Sequence, residues 1–193
     1  MKNKTVLFKE SRIIQTTFLL IMVGFIYSFI PYENWLLLGM NMGLAGLCCV
    51  IFTILWRYNR NHSKRYFSLL SYVMLITLSL YFTIPLLRVF VGSFLFWLTL
   101  LLLAACTLIP YFFSESIAKG VQNPSMSKMG KIYLIMSMLI VAFGTILLFY
   151  VNLQESQDAF VVALFSFGLA VLFLFIAPIF LITPERVKEL DKA

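Results

Sequence analysis

The chain has 193 residues, 62% of them hydrophobic against roughly 45–50% in an ordinary soluble domain, and only 12% charged. Lys and Arg outnumber Asp and Glu 15 to 8, a formal net charge of +7. A soluble enzyme of this size cannot keep that much apolar surface out of water, and neither a nucleic-acid binder nor a disordered tail has this composition.

The charges leave six uncharged runs: 13–32, 34–56, 66–87, 89–114, 132–154 and 159–184, of 20, 23, 22, 26, 23 and 26 residues. A helix rises about 1.5 Å per residue, so about 20 apolar residues cross a hydrocarbon core of roughly 30 Å. Each run predicts one span. The expected fold is an all-α, six-helix transmembrane bundle, with residues 1–193 forming a single transmembrane domain.

Span one follows Lys2, Lys4, Lys9 and Arg12. Its apolar run is longer than a signal-peptide core, and its exit, Phe29-Ile30-Pro31-Tyr32, is bulky, so it reads as a retained span. Thr17, Gly24 and Ser28 make a thin small or polar stripe along it. Span two carries a candidate packing seam of Gly39, Gly43 and Gly46, where Gly-x-x-x-Gly permits close backbone approach. At 100° per residue Asn41, Ala45 and Cys48 fall on the opposite side. Two such faces predict that span two is central and touches neighbours on both.

After the basic loop 57–65, span three sets Ser68, Ser71, Ser79 and Thr83 close to one line, with Tyr72 beside them. The stretch 66–114 holds 49 residues and one charge, Arg88. As one helix it would be about 73 Å long, so it must fold back, with Pro85, Arg88 and Gly92 marking the turn. Arg88 is expected to snorkel, or to pair with Glu33, Glu155 or Asp158. In the loop 115–131 that follows span four, Ser114 predicts the cap of a short helix that Gly120 stops, before Pro124 and Gly130. Span five has Ser137 and Gly144 on one stripe. Span six has Ala163, Ser166, Ala170 and Ala177. Phe82-Thr83-Ile84-Pro85 and Phe175-Ile176-Ala177-Pro178 match loosely, as two inverted three-helix halves would.

Fourteen of the 15 Lys and Arg fall in the N-terminal segment, the second and fourth connections and the C-terminus. The opposite side has Arg88 alone. The positive-inside rule therefore predicts that both termini are cytoplasmic. Compactness and composition suggest a multi-pass protein of a bacterial plasma membrane.

Catalytic chemistry lacks its residues. No run contains His, Lys, Asp or Glu, which an intramembrane protease needs as base or metal ligand. His62, the one histidine, lies in the basic loop, 13 residues from Cys49, the nearest cysteine. Cys48-Cys49 and the Met40-x-Met42 and Met136-x-Met138 pairs are soft ligands, but no Cys-x-x-Cys or His accompanies them. No catalytic, cofactor-binding or metal site is expected, and no cofactor.

Neutral polar positions remain. Asn41, Cys48, Ser71, Ser79, Thr83 and Arg88 are the candidate ligand or helix-contact residues. Two functions fit. One is a non-catalytic accessory, regulatory or protective protein that binds a membrane or cytoplasmic protein. The other is a transporter, or a substrate-binding transport subunit, for a small neutral or apolar molecule. The expected partners are the lipid bilayer, whose anionic headgroups the basic loops would meet, and such a protein, with no nucleic acid.

Overall fold

The computed structural model describes residues 5–122, 128–153, 159–183 and 186. The described residues are all-helical, with seven α-helices and two short 3-10 turns. The helices are α1 (Ile13–Ser28), α2 (Trp35–Asn59), α3 (Ser63–Val89), α4 (Phe94–Phe112), α5 (Ser114–Gln122), α6 (Lys128–Leu153) and α7 (Ala159–Ile176). The 3-10 turns are Phe8–Glu10 before α1 and Ala177–Leu181 after α7.

Five helices are long and apolar enough to cross a membrane: α1 with its preceding turn, α2, α3, α4, and α7 with its 3-10 extension. The expected sixth span falls on α6, whose apolar part is the shorter Gly130–Ile146.

Local chemistry explains most boundaries. The Asn34 side chain accepts from the Leu37 amide at 2.9 Å and starts α2. The α3–α4 turn contains Gly92 at φ +82°, a conformation that glycine adopts without a Cβ penalty. Pro85 lies inside α3, so the turn falls later than the sequence suggests, and Arg88 belongs to the last turn of the helix. Several helices overrun the uncharged runs. Arg57, Lys64, Arg65 and Arg88 are all helical, because a long cationic side chain can reach the membrane surface from within a helix. Ser114 does begin α5, but Gly120 does not stop it. Burial of Ile117 and Ala118 outweighs the roughly 1 kcal/mol propensity cost of one helical glycine.

The hub is α3, not α2. It packs most extensively on α7, and also on α2, on α1 and on the Ala177–Leu181 turn. One apolar core joins α1, α2 and α3 around Leu20, Ala45, Phe52, Tyr66, Leu70 and Tyr81. A second joins α3 to α7 and α4 around Leu86, Ala163 and Phe167. The α6 helix packs on α5 and α7.

This arrangement corrects the expected role of the span-two seam. Gly39, Gly43 and Gly46 are exposed, and a Cβ placed on any of them meets nothing within 4 Å. The helix is used on its other side, through Asn41, Ala45, Cys48 and Phe52. The glycines that mediate close contact belong to the thinner stripes. A Cβ on Gly24 would lie 3.1 Å from the Tyr81 ring, and one on Gly144 would lie 2.8 Å from the Phe165 ring.

Candidate functional site

The polar residues inside the bundle form a row of separate clusters along α3. At the end that carries Arg88, α1, α2 and α3 meet around Asn41, which is buried. Its side-chain amide donates to the Gly24 carbonyl at 3.1 Å and to Ser28 Oγ at 2.9 Å. Ser28 Oγ in turn donates to the same carbonyl at 2.6 Å. Tyr81 Oη donates to the Asn41 backbone carbonyl at 2.9 Å. The absence of a side chain at Gly24 makes this possible, since it lets the Tyr81 ring and the Asn41 Cβ close on the α1 backbone.

Arg88 completes that end. Its guanidinium donates to the carbonyls of Ser28 at 3.1 Å, Ile30 at 2.7 Å and Tyr32 at 2.8 Å, and lies 4.1 Å from the centre of the Tyr32 ring. The last carbonyls of a helix lack intrahelical donors and carry the negative end of its dipole, so a cation belongs there. Among the described residues Arg88 is thus held by carbonyls rather than by Glu33, while Glu155 and Asp158, the other acids expected to pair with it, lie outside the described residues. A planar guanidinium can satisfy three carbonyls at once, where a single carboxylate would leave them bare.

Halfway along the helices, Cys48 and Thr77 are 3.1 Å apart. Thr77 donates its hydroxyl proton to the Val73 carbonyl at 2.9 Å, so the Cys48 thiol is the donor between the two. Ser79 donates to Leu75 and Thr83 to Ser79 within their own helix, at 2.8 and 2.7 Å, and both residues are buried. Ser71 is half-buried on the same helix. On a second side, Tyr27 Oη donates at 3.0 Å to Ser166 of α7, whose own hydroxyl proton goes to the Val162 carbonyl. Among the described residues one buried side-chain polar atom has no hydrogen-bond partner, Thr17 Oγ1.

The other end of α3 mirrors the first. Arg65 donates to the Leu181 carbonyl at 2.8 Å, and Ser68 donates to that of Phe180. These two carbonyls lie in the 3-10 turn that ends α7, where Pro178 sits at the start. Tyr66 Oη reaches the Ser11 carbonyl at 2.7 Å. Two arginines of one helix thus clasp the C-terminal ends of two different neighbours, α1 and α7.

The structure therefore joins Asn41 and Arg88 through Ser28, while Cys48, Ser79 and Thr83 make their hydrogen bonds elsewhere. Tyr81, Tyr66 and Arg65 were not singled out as candidates from the sequence. A signal existed for the tyrosines, because a phenol inside an apolar run requires a hydrogen-bond partner. Among the described residues no three His, Cys, Asp or Glu side chains group together. No family model, no curated protein and no solved structure matches this chain.

Proposed function

We propose that this chain is a non-catalytic, six-span integral membrane protein of a bacterial plasma membrane with both termini cytoplasmic. It acts as an accessory, regulatory or protective subunit, through a membrane or cytoplasmic protein partner.

One observation carries this reading. Among the described residues the buried polar side chains other than Thr17 bond to one another or to helix carbonyls, as Asn41, Ser28, Tyr81, Ser79 and Thr83 do. A site for a neutral solute would present such donors to a cavity. Closed on themselves, they rigidify a scaffold. The outward-facing surfaces are then the chain's means of acting.

The decisive experiment is purification of the tagged chain from native membranes in mild detergent. A protein recovered in stoichiometric amount is expected. Purification of the chain alone, with a retained small molecule, would instead establish the transport reading.

A further inference from the structure

The segment before α1 makes an unusual approach. Arg12, the residue preceding α1, has φ +59° and ψ +12°, in the left-handed region that strains a residue with a Cβ. This turn folds residues 5–11 back over the ends of α2 and α3. Three hydrogen bonds hold them there: the Val6 amide to the Arg60 carbonyl at 2.8 Å, Trp56 Nε1 to the Val6 carbonyl at 3.0 Å, and Tyr66 Oη to the Ser11 carbonyl. Val6 and Ser11 are buried beneath.

The folded segment turns apolar side chains outward. Leu7 is 65% exposed and Phe8 is 49% exposed, with Phe8 edge-on to the Trp56 ring. Tyr58, near the end of α2, is 82% exposed. Beyond Arg12 the exposed apolar face continues down α1 through Ile14, Phe18, Ile21 and Phe25. The same corner is basic. Because the Val6 amide bonds the Arg60 carbonyl, the segment that carries exposed Lys9 is held against the α2–α3 turn, where Arg60 and the flanking helical residues Arg57 and Lys64 are exposed. Glu10 is the one acid in residues 5–12 and 57–65. Apolar and aromatic side chains beside clustered bases, at the end of three spanning helices, match the boundary between acyl chains and phosphates.

We infer that residues 5–12 and the α2–α3 turn together form a binding corner for acidic phospholipid. Leu7 and Phe8 sit at the acyl boundary, and Lys9, Arg57, Arg60 and Lys64 surround the headgroup phosphate. The strained turn at Arg12 aligns the two halves of this corner. The inference rests on the membrane-spanning reading of the chain.

Trp56 reports on the corner directly. The full chain carrying Trp35→Phe and Trp97→Phe retains it as the only tryptophan. The two removed indoles are exposed and lie at the opposite ends of α2 and α4 from the corner's side of the bundle. The protein is reconstituted in mixed phosphatidylcholine and phosphatidylglycerol vesicles, with bromine on the acyl chains of one lipid or of an equal mole fraction of the other. Brominated phosphatidylglycerol is expected to quench Trp56 about twofold more strongly than brominated phosphatidylcholine. Arg57→Gln/Arg60→Gln/Lys64→Gln should bring the two to parity, and Lys131→Gln, outside the corner, should keep the difference. An unchanged emission maximum and circular dichroism spectrum establish that the triple variant is folded. Equal quenching in the parent overturns the inference, as does a preference that survives the triple change in folded protein. Quenching by neither lipid would place Trp56 away from the acyl chains and would also overturn the inference, while leaving the membrane-spanning reading to stand on the length and hydropathy of the helices.

Discussion

Arg88 and Asn41 hold the same end of the bundle by different means, and their substitutions should separate. Arg88 makes three charge-assisted bonds to carbonyls of Ser28, Ile30 and Tyr32. Bonds to charged groups contribute about 1.5–3 kcal/mol each when buried, less where water competes, so Arg88→Ala should cost roughly 2 kcal/mol in total. Arg88→Lys should recover little of that, because an ammonium cannot span three acceptors in a plane. Thermal unfolding in detergent measures both, and a lysine variant as stable as the parent would exclude the clasp. At Asn41 the bonds are neutral and lie among helices, where they average about 0.6 kcal/mol each. Two are lost in Asn41→Ala, so the melting temperature should fall slightly, by the equivalent of about 1 kcal/mol. Activity should survive in the folded variant once an assay exists. Its loss would make Asn41 a ligand group.

At the scale of the helix, the two faces of α2 should answer oppositely to added bulk. Gly43→Leu places a side chain where a Cβ meets nothing within 4 Å, so intramolecular stability should change by no more than about 0.5 kcal/mol. Gly24→Leu forces a branched chain against Tyr81 and the Asn41 Cβ, and overpacking there should cost about 1–3 kcal/mol or prevent folding. Gly24→Ala, the milder change, keeps the comparison readable. If Gly43→Leu lowers the melting temperature of the purified chain as much as Gly24→Ala does, then the face is covered by a second helix in solution. Partner recovery from native membranes with Gly43→Leu would then show whether the open face contributes to association.

For the molecule as a whole, the clasped ends of α3 set the dimension. Arg65 and Arg88 are 23 positions apart, or about 35 Å along a helix, against roughly 30 Å of hydrocarbon core. Both can therefore sit at interfaces while bonding to the ends of α7 and α1. The orientation is open to chemical labelling in a background without native cysteines. Cysteines placed at Lys64, Lys128 and Lys192 should react with an impermeant thiol reagent only after the inner face is exposed, and one at Gln157 should react in intact cells. Reaction at position 64 in intact cells would reverse the topology. A residue 157 protected in the same cells as residue 128 would show that α6 does not cross.

Uncharged runs and turn residues determined, without any tertiary information, that the chain is helical and apolar along most of its length. Five of the runs overlap α1, α2, α3, α4 and α7, because hydrocarbon-length runs require backbone hydrogen bonds to be made within each helix. Ser114 marked the start of α5, though as its first helical residue rather than as the cap before it. Which helix is central and which face of each is used were decided only in three dimensions. Gly39, Gly43 and Gly46 look like a seam in the sequence, yet small residues permit an approach without demanding one. Gly24 and Gly144 are the glycines in close contact, the first because Tyr81 and Asn41, 57 and 17 positions away, meet there. Arg88 likewise bonds to carbonyls freed where α1 ends, and such acceptors have no residue type to betray them.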